Sequence, residues 1–129
     1  MMVVRSLVSV VDDDESVRES LPDLIREFGF LVRAFSSAEE FLASDSLSET
    51  KCLILDIAMP GMSGPDLQQE LKLRGQAIPI VFITAHDDDA IRPRVLSAGA
   101  VECLLKPFSD AALRNAINDA LRIDEGVGP

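Results

Sequence analysis

Tryptophan and tyrosine are absent, and six phenylalanines make up the whole aromatic complement. A core built from this chain is therefore aliphatic. With 47% apolar residues over 129 positions, there is material for one domain of ordinary size that needs no staples. Cysteine is scarce: Cys52 and Cys103 sit in the apolar runs CLILD and VECLLK, and neither has a Cys or His at ligand spacing. Both read as small core hydrophobes in a reducing compartment, rather than as a disulfide or a metal pair. No apolar run approaches the ~18 residues of a membrane span. The opening MMVVRSLVSVV is too short and too strand-like for a secretory signal. A cytoplasmic protein with no membrane partner is expected. Positive charge is in deficit, 12 Lys and Arg against 22 Asp and Glu, a formal charge of −10. That argues against a nucleic-acid surface on this chain, since phosphate contacts need basic patches. It suits a cation site or a basic protein partner. Neither an internal repeat nor a low-complexity stretch is present.

Five short apolar runs alternate with segments of helical pattern. The predicted strands are Leu7–Val11, Leu31–Phe35, Cys52–Asp56, Ile80–Thr84 and Val101–Leu105. Three of them, LVSVV, CLILD and IVFIT, have the aliphatic and β-branched character of strands buried on both faces. The predicted helices are Glu15–Phe28, Ser37–Ala43, the segment SGPDLQQELKL from Ser63, Ile91–Ala98 and Ser109–Ile123. Ser63 and Ser109 are N-cap candidates, and Pro65 suits a first turn. Pro22 falls inside the first helix and is expected to kink or weaken it. A (βα)5 order implies an α/β fold, a doubly wound parallel sheet with helices on both faces and right-handed crossovers. The domain is expected to span residues 1–123. Residues 124–129, polar and bearing Gly and Pro, read as a tail or the start of a linker.

In such a sheet, ligands bind outside the carboxyl ends of the strands. The first strand delivers Asp12, Asp13 and Asp14 there, the third Asp56, the fourth Thr84, and the fifth Lys106 followed by Pro107. Three carboxylates in one cleft repel one another by several kcal/mol at low effective dielectric. They call for compensation by a hard divalent cation such as Mg2+ and by the fixed charge of Lys106. The plainer reading is open for single residues: Asp14 and Glu15 suit helix capping, and an Asp after a strand is often a turn residue. Four such features, each at a strand end, are harder to dismiss.

The stretches VVDDDES (10–16), LILDIAMPGMSG (53–64), IVFITAHDD (80–88), SAGA (97–100) and LLKPF (104–108) resemble, in order and spacing, the receiver domain of two-component response regulators. The likeness covers nearly the whole chain and is nearest to receivers of the nitrogen-fixation regulator (FixJ/NarL-like) type, which often carry a helix-turn-helix domain further on. It implies the CheY-like fold, a three-layer αβα sandwich with strand order 2-1-3-4-5. It implies a phosphorylation-dependent signalling switch that catalyses only its own phosphorylation and dephosphorylation. Asp56 would be the phospho-acceptor, taking the group from a histidine kinase or a histidine phosphotransfer protein. Asp13, Asp56 and the Ala58 backbone carbonyl would ligate Mg2+, with Asp12 acting through a metal-bound water. Lys106 would pair with the phosphate, Thr84 would hydrogen-bond it, and the Lys106–Pro107 bond would be cis. Phosphorylation would alter an output face, often one that forms a homodimer, to which Arg92, Arg94, Glu102, Asp110, Arg114 and Asp119 offer mixed charges.

The chain departs from the family where an aromatic usually stands three residues before the lysine. Here that residue is Cys103, which has no bulk to swing as a switch. Ala58 and His86 occupy positions that tune phosphate lifetime in the family. Two other readings stay open at this level. A haloacid-dehalogenase-type phosphatase also uses a strand-end Asp with Mg2+, but it needs an acid at the position of Ala58. A receiver-like interaction module would work without phosphate.

Overall fold

The computed structural model describes residues 5–85 and 90–124. The strands are β1 (Leu7–Val11), β2 (Leu31–Phe35), β3 (Thr50–Asp56), β4 (Ile80–Thr84) and β5 (Glu102–Leu105). Between and after them run the helices α1 (Glu15–Glu27), α2 (Ala38–Leu42), α3 (Gly64–Leu73), α4 (Ile91–Ser97) and α5 (Asp110–Asp124). All ladders are parallel, in the order β2-β1-β3-β4-β5. This is the expected α/β sandwich. β1 and β3 lie inside the sheet and are buried almost throughout, whereas the edge strand β2 is largely exposed.

Strand side chains alternate between faces, and the core divides accordingly. On one face Leu53, Leu55 and Phe82 pack with Phe41 of α2, Leu71 of α3 and Val95 of α4. On the other, Val8, Val10 and Ile54 pack with Leu21 and Ile25 of α1 and Ile117 of α5. Arg114 of α5, expected on the output face, lies with its guanidinium 4.7 Å from the centre of the Phe28 ring and so joins α5 to the end of α1.

The helix starts follow from short polar side chains. Asp14 Oδ1 accepts the Ser16 N–H at 2.9 Å. Ser63 and Asp66 form a reciprocal capping box, with Pro65 in the first turn. Ser109 Oγ accepts the Ala112 N–H at 3.0 Å. As expected, Pro22 falls inside α1, which is continuous from Glu15 to Glu27, and the residue is buried. Burial there offsets the backbone bond that proline cannot donate. β3 starts two residues earlier than its apolar run. Thr50 Oγ1 donates to the Ser46 carbonyl at 2.6 Å and lies 2.7 Å from Ser9 Oγ of β1. This buried polar contact extends the ladder and holds the 3-10 turn Asp45–Ser48, which hydrophobic patterning did not show.

Candidate functional site

β1 ends at Val11, and the next residue, Asp12, is fully buried. One Asp12 carboxylate oxygen accepts the Asp14 N–H at 2.9 Å, and the other accepts Lys106 Nζ at 2.9 Å. Its backbone carbonyl takes Arg18 Nη1 at 2.9 Å, so the turn into α1 is held from several directions. Asp13 is exposed at the rim. Asp56, the last residue of β3, is buried to 7% exposure, and the ladder register sets it beside Ile83. A ligand oxygen from each of Asp12, Asp13 and Asp56 lies within 4.8 Å of the others.

The loop after Asp56 turns back sharply. Ile57 N–H donates to the Ile83 carbonyl at 3.1 Å, and Gly64 N–H returns to the Ile57 carbonyl at 2.9 Å. Gly64 is required here: a Cβ at this position would lie 2.3 Å from the Asp56 carbonyl oxygen and 3.0 Å from the Phe82 ring. Ala58 is exposed in this loop, while Met59 is buried beneath it.

The ladder between β4 and β5 sets Thr84 opposite Leu105, and Lys106 N–H donates to the Thr84 carbonyl at 2.7 Å. Thr84 and Lys106 therefore arrive at the same rim as the acids. The Lys106–Pro107 peptide bond is cis. Lys106 Nζ lies 3.8 Å from Asp56 Oδ1, longer than its bond to Asp12.

Burial pushes Asp56 up to about 7, reinforced by the negative charges of Asp12 and Asp13 and opposed by Lys106. Asp13 also stands where it accepts a hydrogen bond from the protonated acid. Asp14 is held below the usual carboxylate range, chiefly by the Ser16 N–H. It thus caps α1 and stands apart from the acid cluster. Three hard oxygen donors, more negative than one lysine offsets, are a donor set suited to a small divalent cation.

Cys103 does not reach the cleft. It is 3% exposed in the apolar cluster shared with Phe82 and Val95, and burial raises its thiol. His86 lies outside the described residues. Two contacts went unseen in the sequence. Arg92 of α4 donates to the Cys103 carbonyl at 2.7 Å and to Glu102 at 2.9 Å, tying α4 to the edge of β5. Glu39 of α2 accepts the Met62 N–H at 3.2 Å across the loop after Asp56. No motif spacing marks either one, because both depend on how separate elements pack.

A doubly wound sheet with paired acids after β1, an acid ending β3 and a lysine after β5 defines a receiver. The chain belongs to the response regulator receiver domain family, which matches residues 8–118. Members of the family are regulatory switches phosphorylated by histidine kinases. The chain is 44% identical over 118 residues to the response regulator protein TodT of Pseudomonas putida, covering 92% of this chain and 52% of that protein. It superposes on the response regulator StyR with a TM-score of 0.88 and 46% identity, over 96% of this chain and 63% of that one. On the structure titled FixJ-N the TM-score is 0.84 with 36% identity, over 93% of this chain and 96% of that one. The chain spans about half the length of the curated relatives it matches. Among the described residues, no helix is long and apolar enough to cross a membrane.

Proposed function

We propose that Asp56 is the phospho-acceptor of a cytoplasmic signalling switch served by a histidine kinase or a histidine phosphotransfer protein. The observation that carries this is the convergence of Asp12, Asp13 and Asp56 within 4.8 Å, with Lys106 between Asp12 and Asp56. In the reaction, an Asp56 oxygen attacks the phosphorus of a phosphohistidine. The new P–O bond forms as the P–N bond breaks, and the imidazole leaves with the electron pair. Asp12, Asp13, Asp56 and the Ala58 carbonyl would hold Mg2+. When bound, it neutralises charge on the phosphoryl oxygens.

The protein's own groups do the rest. Asp56 must be ionised to attack, and positive charge in the cleft draws it below its metal-free value of about 7. Lys106, on a short tether after β5, is near enough to Asp56 to pair with a phosphate there. Thr84, at the rim, would donate its hydroxyl to a phosphoryl oxygen. The change in charge would bias α4 and β5, the elements joined by Arg92, and would favour a homodimer on that face. His86, two residues past Thr84, is the candidate for tuning phosphate lifetime. Residues 1–123 would act as the domain, with 124–129 as its tail.

The test is a mass spectrum after incubation with Mg2+ and acetyl phosphate, beside Asp56→Asn. A labile single-phosphate adduct, absent from the variant and without Mg2+, is expected. A folded protein that takes up no phosphate would refute the reading.

A further inference from the structure

The loop that leaves Asp56 is held at its two ends by main-chain bonds and by burial of Met59. Its outer arm, Pro60 to Met62, is held differently. There Glu39, reaching from α2, accepts the Met62 N–H with Oε2 at 3.2 Å, a contact spanning 23 residues of chain. Gly61 passes beside the same carboxylate with φ +74°, and a Cβ on it would lie 2.8 Å from that oxygen. The positive φ favours glycine at this turn, and the absence of a side chain lets the Glu39 carboxylate lie close against the loop. Glu40, the next residue, accepts the Ser36 hydroxyl at 3.0 Å. α2 itself is anchored by Phe41 and Ala38, both fully buried.

We infer that Glu39 is a positioning residue for the acceptor loop: its bond to Met62 fixes the arm next to Ala58, so that α2 sets the cation affinity of the acid cluster. This rests on the proposed reading of that cluster as a Mg2+ site. A loop carbonyl serves as a ligand only while its backbone is held, and a freed arm must be ordered again at each binding event. Glu39 is exposed and lies outside the core, so its replacement leaves the packing of α2 intact.

The full chain would be titrated with Mg2+ alone, following backbone amide resonances, with Met62 amide exchange measured in the metal-free protein. Wild type would be compared with Glu39→Ala and Glu39→Gln, the second of which keeps an accepting oxygen without the charge. Glu39→Ala is expected to exchange Met62 about tenfold faster and to need about three- to tenfold more Mg2+. Glu39→Gln should stay within about twofold of wild type in both. Unchanged Mg2+ affinity in Glu39→Ala, despite a deprotected Met62, would overturn the role. So would Glu39→Gln behaving like Glu39→Ala, which would assign the effect to charge alone. A wild type that binds no Mg2+ would overturn the site reading, and the positioning role with it.

Discussion

Lys106 Nζ lies 2.9 Å from a carboxylate oxygen of Asp12, a residue 94 positions earlier in the chain. The same amine stands 3.8 Å from Asp56. The lysine is thus committed first to the fully buried acid, and Asp56 is only partly compensated. Removing the amine leaves a buried carboxylate without its cation, the costly way to break such a pair. Because Lys106 is itself about one-fifth exposed, Lys106→Ala is expected to lower metal-free stability by about 2 kcal/mol, or roughly 5–10 °C. Thermal unfolding in a chelating buffer measures this. An unchanged midpoint would mean that water already satisfies Asp12.

Asp56 makes the metal-free protein sensitive to pH. Its folded value, about 7, is above the ordinary 3.8, so between these values the native state holds a proton that the unfolded chain has lost. Stability therefore falls as pH rises through that window and levels off above it. Asp56→Asn lacks this burden. The variant is expected to unfold about 5 °C higher than wild type at pH 7.5, with the gap closing below pH 4. Added Mg2+ should raise the wild-type midpoint and leave the variant nearly unmoved. Parallel pH profiles for the two proteins would contradict the shift.

Gly64→Ala tests the close approach under the acceptor. Its Cβ would meet the Asp56 carbonyl oxygen at 2.3 Å, so either β3 or the start of α3 must move. A loss of about 2–4 kcal/mol is expected in denaturant unfolding. A cost below 1 kcal/mol would show that the loop yields easily.

Arg92 links α4 to β5 through the Cys103 carbonyl and Glu102. Both cysteines are buried, and burial raises the Cys103 thiol, so native labelling should be slow at each. Arg92→Ala is expected to speed labelling of Cys103 by about tenfold, from a looser α4, while Cys52 stays protected. Mass spectrometry of timed alkylation distinguishes the two thiols, and equal rates would deny Arg92 a holding role.

Much of this was legible in the residues. Runs such as CLILD and IVFIT, buried on both faces, announce interior strands because apolar side chains have no polar alternate to expose. Ser63 and Ser109 announce helix starts because their oxygens meet unpaired N–H groups. Pro22 was legible as a proline inside the first helix, but its burial was not, because no short window reveals it. The Ser9–Thr50 contact was hidden for the same reason: its partners are 41 residues apart.

The sequence by itself determined the alternation of strands and helices and the identity of the acids and the lysine at the strand ends, since these depend on local period and residue chemistry. Only the tertiary structure decided that Asp12, rather than Asp56, takes the close bond of Lys106. It likewise decided that Arg114 stacks on Phe28 and that Glu39 grips the acceptor loop. Distances between elements far apart in sequence arise from how the sheet twists and the helices settle on it, and no local pattern encodes them.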